Sequence, residues 1–135
     1  MTQSYTDHYF ETRGCRLHYV EAGVGPLIIF YHGFPSFWFS FHHQMTALKD
    51  RFRVVAVDGP GVNLSSKPTD VSLYTLKNLA LQIDDLGRHL SGDEPFYLVG
   101  HDWGAALAWS FAQHFPSRLH KVVAINAPPT NQLLA

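Results

Sequence analysis

The stretch that decides the fold is Phe96–Ala106, which reads FYLVGHDWGAA. Its four leading residues form an apolar run that is typical of a short buried strand. The motif Gly-x-Asp-x-Gly follows at residues 100–104, and an apolar helical pattern then continues to Phe115, just before Pro116. The two glycines allow the helix to pass close to the strand, so the residue between them can occupy a sharp, strained turn. The stretch therefore predicts strand, tight turn and helix, with Asp102 at the tip of the turn.

An aspartate at the tip of such a turn indicates a particular chemistry. The context is that of a nucleophile elbow, which exposes a reactive side chain at the end of a central strand. Because the reference pKa of aspartate is about 3.9, its carboxylate is ionised at neutral pH and needs no base to attack carbon. Asp102 therefore favours attack on carbon that bears a leaving oxygen or halide, and it disfavours ester hydrolysis of the serine type. An acidic loop residue without chemistry is the alternative interpretation.

A second motif lies upstream at residues 32–35, where His-Gly-Phe-Pro follows the apolar run Leu27–Tyr31. Together with Gly-His-Asp-Trp-Gly it resembles the α/β-hydrolase family, in particular its epoxide hydrolase and haloalkane dehalogenase branch, over nearly the whole chain. The resemblance implies that Asp102 is the catalytic nucleophile and that the backbone N–H groups of Phe34 and Trp103 form an oxyanion hole. It also implies that Phe34 and Trp103 line the substrate pocket, and it implies neither a cofactor nor a metal ion.

The resemblance leaves the substrate class open between epoxides and halogenated compounds. In dehalogenases the Trp after the nucleophile donates its indole N–H to the departing halide, often with an Asn after His-Gly. This chain has Phe34 at that place, followed by Pro35, which resembles the epoxide hydrolase version, although fluoroacetate-type dehalogenases also carry it. We therefore expect a hydrolase that opens a small apolar epoxide through an alkyl-enzyme ester, later hydrolysed to a diol. The alternatives are a haloalkane or haloacid dehalogenase and a non-catalytic fragment or interaction domain of the same fold.

Outward from these motifs, strands and helices alternate after a leading hairpin. The predicted strands cover residues 8–12, 15–21, 27–31, 52–57, 96–99 and 119–125, and the predicted helices cover 37–49, 72–90 and the segment from the elbow to residue 115. Ser36 and Ser72 are candidate N-caps. The alternation predicts the α/β class, with a mostly parallel sheet and helices on both faces. The resemblance implies the strand order 1-2-4-3-5-6, and it makes residues 1–135 the N-terminal part of an α/β-hydrolase core domain without a cap domain.

The last predicted strand, Leu119–Ile125, should form an open edge of this sheet. Family members continue beyond this point with a helical cap and further strands that carry the catalytic acid and base. An uncovered apolar edge strand invites pairing with another chain. We therefore expect a C-terminal fragment or a second copy of the chain to bind at this edge, and we expect residues 1–135 to lack the base, the acid and the cap.

None of the histidines in the chain is predicted to act as the base. His32 resembles a scaffold residue that braces the oxyanion loop, and the side chain of His101 should diverge from that of its neighbour Asp102. His114 lies along the elbow helix, roughly 18 Å from its start at a rise of 1.5 Å per residue. The histidine that activates the hydrolytic water is therefore expected elsewhere.

The loop that begins at Asp58 departs from the family pattern. It resembles the motif Asp-x-Arg-Gly-x-Gly-x-Ser, with Pro60 in place of the Arg and Asn63 in place of the second Gly. Since the Arg is a structural ion-pair partner in the family, its loss leads us to expect a less rigid loop. Asn63 is a mild change, because Asn tolerates positive φ better than other non-glycine residues.

Composition and charge exclude several classes of partner. The net charge of −1 and the absence of a basic run disfavour nucleic acid. No apolar stretch approaches the roughly 20 residues of a membrane span, and the N-terminus lacks the pattern of a signal peptide. The single cysteine, Cys15, has no partner within the chain for a disulfide. We therefore expect a cytoplasmic protein that acts on a small molecule, without nucleic-acid or membrane partners.

Overall fold

The computed structural model describes residues 5–128, which form a six-stranded sheet with helices packed against it. The strands are β1 (Thr6–Thr12), β2 (Cys15–Ala22), β3 (Leu27–Tyr31), β4 (Arg53–Val57), β5 (Phe96–His101) and β6 (Leu119–Ile125). The α-helices are α1 (His42–Leu48), α2 (Leu76–Ser91) and α3 (Trp103–His114), and short 3₁₀ helices cover Trp38–Phe41, Val71–Tyr74 and Pro116–Arg118. Residues 1–4 and 129–135 lie outside the described range.

The strand order is β1-β2-β4-β3-β5-β6, which confirms the predicted topology. β2 pairs antiparallel with both β1 and β4, whereas β4, β3, β5 and β6 pair in parallel. Because parallel strands end at the same edge of a sheet, the loops that follow β3, β4 and β5 meet there. The fold therefore brings both sequence motifs and the loop from Asp58 to one surface.

Alternate side chains of the central strands enter two buried clusters, one on each face of the sheet. The larger cluster joins β3 and β4 to α2 and α3, and it includes Ile83, Leu107 and Phe111. The smaller cluster joins the opposite face of the same strands to α1 and to the 3₁₀ helix before it. There Phe30 packs on Phe41, with ring centroids 4.9 Å apart. Helices therefore cover both faces, as the sequence predicts for the α/β class.

The passage from β5 into α3 depends on glycine at two positions. A Cβ atom on Gly100 would lie 2.0 Å from the carbonyl oxygen of Gly104, and one on Gly104 would lie 2.2 Å from the carbonyl oxygen of Tyr31. Both distances are far shorter than a carbon–oxygen contact allows, so only glycine fits. The predicted close packing of helix on strand is confirmed, and it places the start of α3 against the end of β3.

The predicted helix 37–49 differs from the structure at its start. The chain first forms the 3₁₀ helix Trp38–Phe41, and α1 begins only at His42. The prediction of Ser36 as N-cap is wrong, because neither helix has a side-chain cap. Ser36 instead closes a turn within the preceding loop, where its N–H donates to the carbonyl oxygen of Gly33 at 3.0 Å.

The predicted helix 72–90 is also divided, and Ser72 is not its N-cap. Ser72 lies inside the 3₁₀ helix Val71–Tyr74, which is capped by Asp70. Thr75 has an extended backbone that interrupts the helical path, and its hydroxyl caps α2 by accepting the N–H of Asn78 at 3.2 Å. The apolar periodicity runs through both helices and therefore hides the break. The other predicted boundaries differ from the structure by a few residues at most.

β6 forms an edge of the sheet, since in the described part of the chain it pairs only with β5. Val123 is 49% exposed and Ile125 is 42% exposed on this strand. The expected open apolar edge is therefore present in residues 5–128.

A buried ion pair fixes the start of β6 to α2. Arg118 donates from Nε to Asp84 at 3.0 Å and from a terminal guanidinium nitrogen to the carbonyl oxygen of Gly92 at 3.1 Å. Both charged side chains are largely buried, and Asp84 also accepts a bond from Arg88 at 3.2 Å. Because β6 starts here and runs parallel to β5, this pair lies at the opposite end of the sheet from the loops that carry the two motifs.

Neither a membrane span nor a metal cluster was found among the described residues. Across residues 5–128, no helix combines the length and the hydropathy needed to cross a bilayer. The same residues contain no group of three or more metal-ligating side chains placed to hold an ion. The cytoplasmic location stays a prediction.

We expect Gly104→Ala to lower the free energy of unfolding by at least about 3 kcal/mol, at the upper end of overpacking effects, because backbone atoms of β3 obstruct the new methyl group. This loss outweighs the gain of about 1 kcal/mol that alanine has over glycine inside a helix. Urea denaturation followed by circular dichroism measures the difference. Gly92→Ala is the control, since no atom lies within 4 Å of its Cβ position and only its positive φ is unfavourable. Equal stability of Gly104→Ala and wild type would contradict the account of the elbow.

Candidate active site

Asp102 occupies the turn between β5 and α3 in a strained conformation, with φ 60° and ψ −118°. Its backbone is fixed on both sides: the N–H donates to the carbonyl oxygen of Ile125 at 2.9 Å, and its carbonyl oxygen accepts the N–H of Ala105 at 2.9 Å. Although the residue stands at the N-cap of α3, its side chain does not bond to the amides of the first turn. The carboxylate is therefore left for other contacts, at the end of a helix whose dipole favours negative charge.

The loop after β3 brings a backbone donor to this carboxylate. The N–H of Phe34 donates to Asp102 Oδ2 at 3.3 Å. This approach requires Gly33, because a Cβ atom there would lie 2.6 Å from the Cβ of Asp102. Trp103 is the first residue of α3, so its own N–H has no acceptor within the helix. The structure thus brings the three predicted site residues together, while their catalytic roles stay predictions.

His32 fixes the start of this loop through both ring nitrogens. Nδ1 lies 2.8 Å from the carbonyl oxygen of Gly33, and Nε2 lies 2.9 Å from the backbone nitrogen of Gly59, which donates to it. These partners require a neutral ring that carries its proton on Nδ1. Burial lowers the pKa of His32 below its ordinary value, against opposing contributions from the carbonyl oxygen of Gly33 and the charge of Asp58. The geometry agrees with a role as a scaffold residue.

An apolar cavity of about 350 Å³ opens beside Asp102. Phe34 and Trp103, which are 76% and 62% exposed, both line it, so their position agrees with the predicted substrate contacts. The remaining walls come from the loops after β3 and β4 and from α2 and α3, and they include Tyr31, Pro60, Val62, Tyr74, Leu76, Leu79 and Leu107. The volume and the apolar walls suit a small hydrophobic molecule.

A buried polar network lies behind the loops, and the sequence patterns did not predict it. Asp58 and His18 are fully buried, and His18 Nδ1 donates to Asp58 Oδ2 at 2.7 Å. The other ring nitrogen lies 2.7 Å from Asp7 Oδ1. Ser65 links the same two segments, because its hydroxyl donates to the Asp58 carbonyl oxygen and accepts the N–H of His18. The available signal was the position of Asp58 directly after a buried strand, at the edge of the sheet where sites form.

The loop from Asp58 is held by other bonds at the place where the family has an arginine. Asn63 adopts a φ of 49°, as its tolerance of positive φ predicts, and its side-chain amide donates to Asp58 Oδ2 at 2.9 Å. Farther along, the N–H of Ser66 donates to the carbonyl oxygen of Arg16 at 2.9 Å. Pro60 therefore lies in a loop that hydrogen bonds connect to β2 and to Asp58, the first residue of the loop.

Within residues 5–128, no histidine makes a hydrogen bond or ion pair with Asp102. His101 is exposed and lines a separate recess with Phe41, Val99 and Ile125, on the α1 side of the sheet. The cavity beside Trp103 lies on the α2 and α3 side, so the predicted divergence of His101 from the elbow is confirmed. His114 Nδ1 donates to the carbonyl oxygen of Ser110 in its own helix, 2.8 Å away.

A sequence model described as the alpha/beta hydrolase fold matches residues 26–134. The chain belongs to the α/β-hydrolase fold family. Among solved structures of the same fold, an epoxide hydrolase from Vigna radiata superposes with a TM-score of 0.88 at 34% identity, over 92% of this chain and 41% of that one. An epoxide hydrolase from Bacillus megaterium in complex with an inhibitor gives 0.85 at 37% identity, over 90% of this chain and 42% of that one.

Two of the curated relatives that the chain resembles are also named epoxide hydrolases. The chain is 38% identical to epoxide hydrolase 1 of Caenorhabditis elegans over 93% of its own length, and 45% identical to epoxide hydrolase 3 of Mus musculus over 88%. These alignments cover 31% and 33% of the two relatives, so the chain spans about a third of their length. The resemblance to the epoxide hydrolase branch is confirmed.

We expect the stability of the protein to depend on pH through His32. Because the folded state lowers the pKa of this ring, the unfolded chain binds more protons once the pH falls below the ordinary value of about 6.5. The contribution of His32 is therefore fully present above that pH and is lost progressively as the pH falls toward the folded-state pKa.

Urea denaturation of the wild type and of His32→Asn between pH 8 and pH 5 measures this contribution, because the other histidines cancel in the difference. The stability of the wild type should fall more steeply with acid than that of the variant. Parallel curves for the two proteins would contradict a buried neutral His32.

Proposed function

We propose that this chain carries the nucleophile and oxyanion hole of an epoxide hydrolase reaction. The single observation that supports the proposal most strongly is the carboxylate of Asp102, which caps no helix and instead accepts the N–H of Phe34 beside an apolar cavity. The similarity to epoxide hydrolases in sequence and in fold supports the same chemistry.

In the first step, Oδ1 of Asp102 attacks one carbon of the epoxide. The bond from that carbon to the ring oxygen breaks, the oxygen leaves with the electron pair and takes up a proton, and an alkyl ester forms on Asp102. Since Phe34 N–H holds Oδ2, the other oxygen of the carboxylate is the one directed to the substrate. The preset orientation lowers the entropy cost of attack.

In the second step, water attacks the ester carbonyl carbon and negative charge develops on Oδ2. The N–H groups of Phe34 and Trp103 are the proposed donors to this oxyanion, and one such donor is worth about 3 to 4 kcal/mol in an enzyme that uses an oxyanion hole. Collapse of the intermediate breaks the bond between the acyl carbon and the alkyl oxygen. It releases a diol and restores the carboxylate.

The second step needs a base, and the first needs an acid. In residues 5–128, both ring nitrogens of His18 and of His32 are engaged by scaffold groups, and no histidine contacts Asp102. We propose that base, acid and cap are supplied by residues outside this range, from a C-terminal segment or a second chain bound at the exposed edge of β6.

Sedimentation of wild type and Val123→Lys tests whether two copies pair at the edge of β6. If they do, the charge of the lysine should weaken the self-association. Self-association that the charge does not weaken would contradict pairing of two copies there.

A second candidate function is supported by Trp103. Its indole lines the cavity next to the nucleophile, and within the described residues it makes no hydrogen bond. An indole N–H in this place suits a departing halide, as in dehalogenases. Release of chloride from chlorinated alkanes, without formation of an adduct or diol from epoxides, would favour this alternative.

We expect an aryl epoxide such as styrene oxide to alkylate wild-type protein at Asp102. Intact-mass spectrometry should show one added epoxide mass, and peptide mapping should place it on the elbow. Asp102→Asn removes the nucleophile and should abolish the adduct. Asp93→Asn is the matched control, because the Asp93 side chain is 98% exposed and precedes the start of β5, at the other end of that strand from the elbow.

The fate of the adduct tests whether this chain contains the base and whether it is catalytic at all. A stable ester without diol release supports the absence of the base from this chain, whereas many turnovers by the chain alone would contradict it. No adduct in either wild type or Asp93→Asn would contradict the proposed function and favour a non-catalytic domain.

A further inference from the structure

The loop that carries the Phe34 donor is held at both ends by two consecutive residues after β4. At its start, His32 Nε2 accepts the N–H of Gly59 at 2.9 Å. At its end, the N–H of Trp38 donates to the carboxylate of Asp58 at 2.9 Å. Asp58 and Gly59 therefore clamp the loop, and Phe34 lies between the two attachment points.

The Asp58 end of this clamp is a buried charge that depends on its partners. Both Asp58 and His18 have no exposed surface, and a buried carboxylate is strongly unfavourable unless it is paired and hydrogen-bonded. Oδ1 accepts the Trp38 amide, while Oδ2 accepts His18 Nδ1 and the Asn63 side chain. The position of the Trp38 amide is thus coupled to β2 through a short chain of bonds.

Asn63 adds a further bond to the clamp through its side chain. It stands where the family motif has glycine, keeps the positive φ of 49°, and adds a donor to Asp58 that glycine lacks. This donor lies in the same loop in which Pro60 replaces the arginine of the motif. The carboxylate of Asp58 therefore has a full set of partners without that arginine.

We propose that His18 and Asp58 are positioning residues for the reaction at Asp102. Their buried pair, supported by Asn63, keeps the loop at the distance at which Phe34 N–H meets the nucleophile. Neither member of the pair lines the substrate cavity, so their loss should change the rate of the chemical step and not the binding of the epoxide. This inference rests on the proposed function, but the position of the Phe34 amide can be measured without it.

The test compares Asp58→Asn with Asp84→Asn, a substitution in the equally structural ion pair at the other end of the sheet. Both variants should lower the melting temperature. At a temperature where both are folded, Asp58→Asn should reduce the maximal rate of Asp102 alkylation by about 10- to 100-fold, because the Phe34 N–H no longer orients the carboxylate for attack. The epoxide concentration at half-maximal rate should stay within about twofold, and Asp84→Asn should keep the wild-type rate.

Hydrogen exchange supplies the readout that does not depend on activity. Exchange of the Phe34 amide should accelerate in Asp58→Asn and His18→Asn but not in Asp84→Asn. Asn63→Gly removes one bond to Asp58 without straining the backbone, so it should fold and show a smaller change in the same direction. It serves as the informative variant if Asp58→Asn does not fold.

The proposal is overturned if folded Asp58→Asn alkylates at the wild-type rate, or if Asn63→Gly leaves both the Phe34 exchange and the alkylation rate unchanged. It is also overturned if Asp84→Asn slows alkylation as much as Asp58→Asn, since the effect would then follow stability alone. If the wild type forms no adduct, the proposed function fails, and accelerated Phe34 exchange in the clamp variants still identifies the clamp.

Discussion

The structure depends on the close approach of three backbone segments at the carboxyl end of the sheet. The elbow, the start of α3 and the loop after β3 meet so tightly that Gly33, Gly100 and Gly104 have no room for a side chain. This contact forces Asp102 into positive φ, and it also brings the Phe34 N–H to the Asp102 carboxylate. The strain and the preset hydrogen bond are two results of the same crowding, and the surrounding sheet and helices supply the stability that maintains them.

The electrostatics of the site follow from the same arrangement. The carboxylate lies at the N-terminus of α3, where the helix dipole favours negative charge, and it accepts an amide from the neighbouring loop. Both influences stabilise the charge that is proposed to form on Oδ2 during ester hydrolysis. Behind the loop, the buried carboxylate of Asp58 and the neutral ring of His32 hold the donor from two sides. The carboxylate of Asp102 thus faces fixed dipoles, and the buried carboxylate of Asp58 does not line the cavity.

Local patterns in the sequence predict most of the secondary structure. The apolar runs of β3, β4 and β5 and the two glycine-containing motifs predict the strands, the elbow and the helices, because burial on a parallel sheet leaves a continuous apolar signature. The strand order came from the resemblance to a family and not from periodicity. Helix starts were predicted less well, since Ser36 and Ser72 have capping side chains but their backbones serve other turns.

The hydrogen-bond network that supports the site could not be predicted from the sequence. Asp102, Phe34 and Trp103 lie within recognisable motifs, so the sequence alone is enough to identify them as candidates. His18 lies 40 positions from Asp58 in the chain, and only the antiparallel pairing of β2 with β4 brings the two together. Asn63 looked like a tolerated replacement for glycine, because nothing local indicates that its side chain turns back to Asp58.

The most direct test of this account is the amide resonance of Phe34 in the two-dimensional ¹H–¹⁵N spectrum of wild type and Asp102→Asn. A hydrogen bond to an ionised carboxylate is stronger than a bond to a neutral amide oxygen, so it shifts the amide proton further downfield. The account predicts a downfield Phe34 proton that moves upfield in Asp102→Asn. The amide of Val62, which also lines the cavity but donates to the carbonyl oxygen of Gly59, should stay in place. A Phe34 resonance that is the same in both proteins would contradict the account.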